Sequence, residues 1–306
     1  MKYLITIIGP TAIGKTTLSI LLANHYQCEI VSCDSRQFFR EMTIGTAVPS
    51  KAELSAANHH FIQNKSINDP YTVGDFEKEA IATIDKLFQT NDYVILVGGS
   101  GLYVNAVLQG FDEFPEIPTS VREQVTKQYE KLGITYLQDQ LRALDPEYFE
   151  KISLENAQTL MNPQRMMRFV EVCIGSGKPY STFLNQKKND RNFTPILIGL
   201  EADRKLMYER INHRVDIMMS GGLLQEAKQL YTQRDLNALQ TVGYRELFSY
   251  FDRDISLEFA IEEIKKNTRR FAKRQLTWFK RDEKTKWFDF ETPIPKIIDY
   301  INKTSK

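Results

Sequence analysis

Six residues, Tyr3-Leu4-Ile5-Thr6-Ile7-Ile8, run directly into Gly9-Pro10-Thr11-Ala12-Ile13-Gly14-Lys15-Thr16. That junction constrains the fold more than any other part of the chain. A short apolar run of this kind is a strand buried on both faces. The GxxxxGK[ST] turn after it exposes backbone N–H groups, and Lys15-Thr16 opens a helix expected to end near His25. Gly9 and Gly14 permit the backbone to approach a ligand closely. Strand, turn and helix in this order predict a pocket for a polyphosphate, with the Lys15 ammonium on its oxygens and the Thr16 hydroxyl available to Mg²⁺. Whether phosphate is transferred, hydrolysed or expelled is left open by the motif.

Further strands are expected at Glu29-Ile30-Val31-Ser32, Tyr93-Val94-Ile95-Leu96-Val97 and Ile196-Leu197-Ile198-Gly199-Leu200, with helices at about 75–90 and 101–108 between them. Alternation of this kind predicts an α/β fold, a P-loop core with a mostly parallel sheet covered on both faces. From about 119 to 190 the pattern changes. Val121–Leu132, Thr135–Leu144 and Pro163–Gly175 read as helices with no convincing strand among them. Pro115 and Pro118 mark the entry to this stretch, and the polar run Lys187-Lys188-Asn189-Asp190-Arg191-Asn192 marks its exit. The expected organisation is a core from 1–118 and 191–306 interrupted by a mostly helical insertion domain at 119–190. After the strand near 196 the chain reads as helical to about 280.

A net charge of +1 conceals uneven placement. Lys265, Lys266, Arg269, Arg270, Lys273, Arg274, Lys280 and Arg281 follow one another with no acidic residue between them. A solvated helix face and a nucleic-acid surface both account for such a run, and the interleaved Phe271, Trp278 and Phe279 fit either core anchoring or base stacking. Cys28, Cys33 and Cys173 are too few for a disulfide framework and are expected as buried thiols. His213 and the His59-His60 pair lack the spacing of a zinc site. With no transmembrane stretch and no signal-peptide pattern, a soluble cytoplasmic protein is expected, and a monomer, since no coiled-coil seam is evident.

Three loops are expected to meet at one sheet edge. Asp34 follows the second strand and belongs on the side of the phosphate loop, where it can orient a metal or accept a proton; a helix cap is the plainer alternative. Gly98-Gly99-Ser100-Gly101 ends the strand at 93–97 and can bring Ser100 beside Asp34, although it also reads as an ordinary strand-to-helix turn. In the helical stretch, Arg165 and Arg168 share a face and Gln164 can read a base edge, or all three can simply be solvated. Arg210 and Arg214, four apart, can clamp a polyanion or form structural ion pairs.

Taken together, GPTAIGKT at 9–16, DSRQFFREMTIGTA at 34–47, HHF at 59–61, GGSGLY at 98–103, NPQRMMR at 162–168, NHRVDIMMSGGL at 212–223, QTVGYRE at 240–246 and AKRQLTWF at 272–279 closely resemble the bacterial tRNA dimethylallyltransferase (tRNA isopentenyltransferase) family over nearly the whole chain. The resemblance implies transfer of a dimethylallyl group from dimethylallyl diphosphate to N6 of adenosine 37 in the tRNA anticodon stem-loop, with Mg²⁺ and without a membrane or an obligate protein partner. It assigns the diphosphate to Gly9, Thr11, Ala12, Ile13, Gly14, Lys15, Thr16, Thr17 and Arg214, with Thr16 toward the metal and Arg210 as a secondary clamp. Asp34 becomes the general base or the carboxylate that orients N6, and Ser100, which stands where the family usually has threonine, helps orient Asp34 or the adenine. Asp34, Ser35, Arg36, Gln37 and Ser100 are expected near the target base. Arg122, Gln164, Arg165, Met166, Met167 and Arg168 are expected on adjoining nucleotides, and Lys273 and Arg274 on phosphates. Ile13 and Thr43 depart from the usual small residue and aspartate of the family. An ATP-using kinase and a nucleotide-gated RNA-binding module are the competing readings of the phosphate loop; each requires ATP, whereas prenyl transfer does not.

Overall fold

A computed structural model describes residues 1–184 and 191–305. The described chain divides into two compact units, Met1–Gln109 with Arg191–Lys306, and Gly110–Asp190. In the first unit the order opens with β1 (Tyr3–Ile8), α1 (Lys15–Tyr26), β2 (Ile30–Ser32), α2 (Lys51–Ala56), β3 (His59–His60), α3 (Val73–Leu87), β4 (Tyr93–Gly98) and α4 (Gly101–Gln109). The second unit holds α5 (Thr119–Leu132), α6 (Ile134–Leu144), α7 (Pro146–Asn156) and α8 (Pro163–Ser176). The chain returns to the first unit with β5 (Thr194–Glu201), α9 (Arg204–Ser220), α10 (Leu223–Leu230), α11 (Tyr244–Phe251), α12 (Leu257–Phe279), β6 (Lys286–Asp289) and α13 (Ile294–Thr304).

The strands lie in the order β3-β2-β4-β1-β5-β6, and every described pairing is parallel. β1 is central and buried throughout. Its alternate side chains serve opposite faces, as a two-residue period requires. Ile5 and Ile7 pack with Leu18 and Leu22 of α1 and Ile297 and Ile301 of α13. Leu4 and Ile8 pack with Phe76, Ala80 and Ile84 of α3 and Val104 and Val107 of α4. The pairing register sets Ile8 level with both Gly98 and Gly199, and Ser32 level with Val97. The loops after β1, β2 and β4 therefore leave one edge of the sheet together, as the sequence predicts.

Local chemistry fixes the element boundaries. The helix expected over about 75–90 runs from Val73, because Thr72 and Asp75 each cap the other's backbone N–H. A separate apolar cluster, including Val215, Leu223, Leu247 and Ile264, packs α9 to α12 together. In the second unit Val125, Leu137, Leu141, Met166, Phe169 and Val170 form the core. There the buried Asp145 caps α7 through the Tyr148 N–H and also accepts from Ser181. Among the elements that escape the sequence reading are α7, opened by Asp145-Pro146, β6, a four-residue edge strand beside β5, and the short α2, β3 and the C-terminal α13. The expected exit residues Lys187–Asp190 lie outside the described residues. No described helix is long and apolar enough to cross a membrane.

Gly98 closes β4 against the end of β2. A Cβ built there would lie 2.5 Å from Cys33 Sγ and 2.9 Å from the Cys33 carbonyl carbon. Gly98→Ala is expected to destabilise the fold by roughly 1–3 kcal/mol, as overpacked cores do. A lower denaturant midpoint at unchanged slope checks this, and an unchanged midpoint would show that the wall yields freely.

Candidate active site

The phosphate loop is shaped by Gly14, whose φ of 107° lies in the left-handed region, and by Ala12 at φ 64°. Gly14 occupies the cap position of α1 and contributes no side chain, so the first-turn N–H groups of the helix face the cavity. Lys15 folds its ammonium onto the loop, donating to the Gly9 carbonyl at 3.0 Å and the Pro10 carbonyl at 2.7 Å. Burial pushes its pKa down to about 8; Asp34 opposes that fall and Arg214 adds to it. Ile13, the first departure from the family pattern, is buried and packs its side chain into the core beneath the loop, so only its backbone can meet a ligand. Thr16 and Thr17 both line the cavity, Thr17 being the more exposed.

Two arginines of α9 grip this loop from outside. Arg210 Nε donates to the Ala12 carbonyl at 3.0 Å, with its guanidinium 4.7 Å from the Phe290 ring centre. Arg214 Nη1 lies 3.4 Å from Thr11 Oγ1, and burial, then Arg210, lowers its pKa. Lys15, Arg210 and Arg214 thus concentrate positive charge on one short loop, which suits a polyanion.

Asp34 stands at the end of β2. Its Oδ1 accepts the Arg36 N–H at 3.0 Å, while Oδ2 has no hydrogen-bond partner among the described residues. Asp34 and Lys15 line the same cavity, about 660 Å³ in volume. A neighbouring cavity of about 530 Å³ shares several residues with it, among them Thr11, Asp34, Thr46, Ala47, Arg214 and Gln275. The second cavity continues past Ser100, Tyr103, Thr241, Arg245 and Trp278. Asp34 therefore faces both the phosphate-loop space and this continuation.

Several expected contacts are turned inward instead. The Ser100 hydroxyl accepts the Ser35 N–H and donates to Ser35 Oγ, each at 3.1 Å, so its partner is the residue after Asp34 rather than Asp34 itself. Arg36 donates to the carbonyls of Asn237 and Ala238 in a tight turn, the first of which also accepts the Gln240 N–H. Gln37 donates to the carbonyls of Thr46 and Ala47 and so fastens the cavity wall. In the second unit Met166 is wholly buried, which removes it from direct contact with RNA. Gln164 and Arg165 are exposed, and Met167 and Arg168 half-buried. Arg122 extends into solvent while its Nε donates to the buried Glu171 at 3.1 Å. The basic helix is also less free than its sequence suggests. Lys265 pairs with Asp216 and Glu262, Lys266 with Glu263, and Lys280 with Glu201. Lys273 and Arg274 are exposed without an ion pair among the described residues, Arg274 lying 5.7 Å from the Phe271 ring centre.

One supporting residue went unnoticed in the sequence. Glu226 of α10 accepts the N–H groups of Thr43, Ile44 and Gly45 and the Tyr244 hydroxyl, holding the start of the 43–47 wall where Gln37 holds its end. Thr43, the second departure from the family pattern, gives its backbone N–H to this carboxylate while its hydroxyl accepts from the Gln63 side chain at 2.8 Å. Acidic residue and loop are separated by about 180 positions, and no spacing rule links them.

A family model described as IPP transferase matches residues 37–282. The chain is 74% identical over 306 residues to a tRNA dimethylallyltransferase of Flavobacterium johnsoniae, covering 100% of this chain and 99% of the relative. It is 68% identical over 306 residues to one from Flavobacterium psychrophilum, with 100% of both chains covered. Among solved structures, a full-length tRNA isopentenylpyrophosphate transferase from Bacillus halodurans superposes with a TM-score of 0.72 at 35% identity, covering 99% of this chain and 96% of that one. With the phosphate loop, Asp34 and the loop after β4 gathered at one sheet edge and the match extending across both units, the chain belongs to the IPP transferase family.

Proposed function

We propose that this protein is a tRNA dimethylallyltransferase, moving the dimethylallyl group of dimethylallyl diphosphate to N6 of adenosine 37 and releasing diphosphate. The observation that carries this reading is the shared position of Asp34, on the cavity of Lys15 and on the cavity beyond it. Diphosphate seated on the loop N–H groups, Lys15 and Arg214 directs its allylic carbon toward that carboxylate. As the C1–O bond breaks, its electron pair leaves with the diphosphate, and these cations stabilise the growing charge. The N6 lone pair forms the new C–N bond while Asp34 Oδ2 takes the N6 proton. Ile44, Ile217, Met218 and Phe271 line the donor cavity and limit water at the allylic centre.

Family membership implies dependence on magnesium. Thr16 offers a hard hydroxyl oxygen to the cavity, a donor that fits an ion whose remaining positions come from phosphate and water. Magnesium held there would add positive charge to the leaving diphosphate. For the RNA, exposed Lys273 and Arg274 on α12 suit phosphate contacts. Arg122, Gln164, Arg165 and Arg168 make the helical unit the proposed grip on the anticodon loop, and extrusion of the target base is easiest from a loop. Ser35, Arg36 and Ser100 support the base-facing corner through the hydrogen bonds that fix its backbone.

The deciding assay supplies Mg²⁺, unmodified tRNA and dimethylallyl diphosphate without ATP, and follows nucleoside mass and diphosphate release. Asp34→Ala is expected to keep donor affinity while slowing transfer by about 10²–10⁴-fold. Lys15→Ala is expected to lose about 10²–10³-fold in transfer together with donor affinity. Equal effects of the two substitutions on donor binding would contradict the division of roles.

A second prediction follows from Lys15, whose pKa lies near 8 in the free protein. Below that pH the ammonium is already charged; above it, binding a polyanion must draw a proton in. Affinity for dimethylallyl diphosphate is therefore expected to fall as pH rises through 8, with proton uptake measurable by calorimetry in buffers of different ionisation enthalpy. Lys15→Ala should remove both signals.

Binding of an anticodon stem-loop should weaken with salt. Replacing Lys273 and Arg274 together by alanine is expected to reduce the slope of log K against log salt by about 1.4, near 0.7 per single-strand phosphate contact. An unchanged slope would place the RNA elsewhere.

A further inference from the structure

Gln275 sits on the inward side of α12 and is 7% exposed. Its side-chain oxygen accepts the Thr11 N–H at 2.9 Å, and its side-chain nitrogen donates to the Gly99 carbonyl at 2.8 Å. Thr11 belongs to the phosphate loop and Gly99 to the loop bearing Ser100. An N–H can only donate and a carbonyl can only accept, so these two partners fix the amide in one orientation. Glutamate at this position would lack the donor, and methionine would lack both groups. The bridge joins residues 264 and 176 positions apart, in a place where both cavities meet.

Hydrogen bonds continue from either end of the bridge. On one side Thr11 Oγ1 meets Arg214. On the other, Ser100, next to Gly99, binds Ser35, next to Asp34. We infer that Gln275 is a positioning residue for group transfer, fixing the phosphate loop against the Gly99–Ser100 loop and so setting the separation of leaving group and proton acceptor. The inference rests on the prenyl-transfer reading above. In the free protein Gln275 is not placed as a diphosphate ligand: its donor is engaged by Gly99, and its oxygen faces an N–H. It also withholds the Thr11 N–H from the cradle. Removing the side chain thus releases a donor near the phosphates and loses none, while the two loops are no longer tied. A substitution at 275 should separate donor affinity from transfer, whereas a role confined to stability would lower folded fraction and affinity together.

Two variants break the bridge from opposite ends. Gln275→Met removes the amide. Gly99→Ala introduces a Cβ that would lie 2.3 Å from Gln275 Nε2, forcing that flexible amide to swing away. Single-turnover transfer to an anticodon stem-loop RNA at saturating dimethylallyl diphosphate, donor affinity and thermal midpoint are measured for wild type, each variant and the double variant. Expected is a fall in transfer of about 10- to 100-fold for each single variant, from misplacement of the reacting groups. Donor affinity should stay within about twofold, since Lys15 and the remaining loop N–H groups are kept. The double variant should be no slower than the slower single, because both substitutions remove one interaction. Transfer unchanged in a folded single variant, loss of affinity in proportion to transfer, or multiplied effects in the double variant would overturn the inference. If Gln275→Met does not fold, the Gly99→Ala result decides by the same criteria of rate and affinity. Absence of product with wild-type protein would instead remove the prenyl-transfer reading, and this inference with it.

Discussion

Three cations crowded around a loop of inward-facing N–H groups form an arrangement that is unfavourable until an anion arrives. Lys15 is the centre of it: desolvated, in contact with carbonyl oxygens instead of a carboxylate, and flanked by Arg214. Such a group keeps its place only if the surrounding structure leaves it no alternative. The rest of the first unit supplies that restraint. Ile13 roots the loop in the core, Arg210 holds the Ala12 carbonyl, and the parallel register of β1 with β4 and β5 fixes where the loop begins.

Around this centre the cavity walls are made of backbone, and side chains hold them by pairing with groups that turns leave unsatisfied. Gln37 takes two carbonyls of the 43–47 segment while Glu226 takes three of its N–H groups. Arg36 takes the carbonyls of the turn at 237–238, and Glu246 takes the Gly243 N–H. A buried polar backbone group without a partner is destabilising by about 1–3 kcal/mol, so each pairing narrows the shapes open to its loop. The site is preorganised by these pairings more than by contacts among the reacting groups.

Legibility from sequence followed the range of the interaction. β1, β4, α1 and the phosphate loop declare themselves because apolar periodicity, Gly14 and Lys15-Thr16 act on their immediate neighbours. Asp34 and Ser100 could be placed at the right sheet edge for the same reason, as strand ends are local features. Arg36 and Gln37 were readable as polar but not as inward-facing, because the carbonyls they satisfy belong to turns elsewhere. Met166 sits between the exposed Arg165 and the half-buried Arg168 of α8, and only the packing of α5 and α6 against that helix shows it to be core. Glu226 and Gln275 leave no periodic trace, and β6 is too short and mixed in character to stand out from a turn.

The central strand pairs Tyr3 with Thr194, so the helical unit is encoded between two neighbours of the sheet. During synthesis the middle of the sheet must wait for its partner until that unit has left the ribosome. The helical unit has its own core of closely spaced contacts and can condense first, whereas the sheet depends on closing a very long loop. Until β5 arrives, the apolar edge of β1 on that side has nothing to pair with, which makes the nascent chain most vulnerable to aggregation during translation of the insertion.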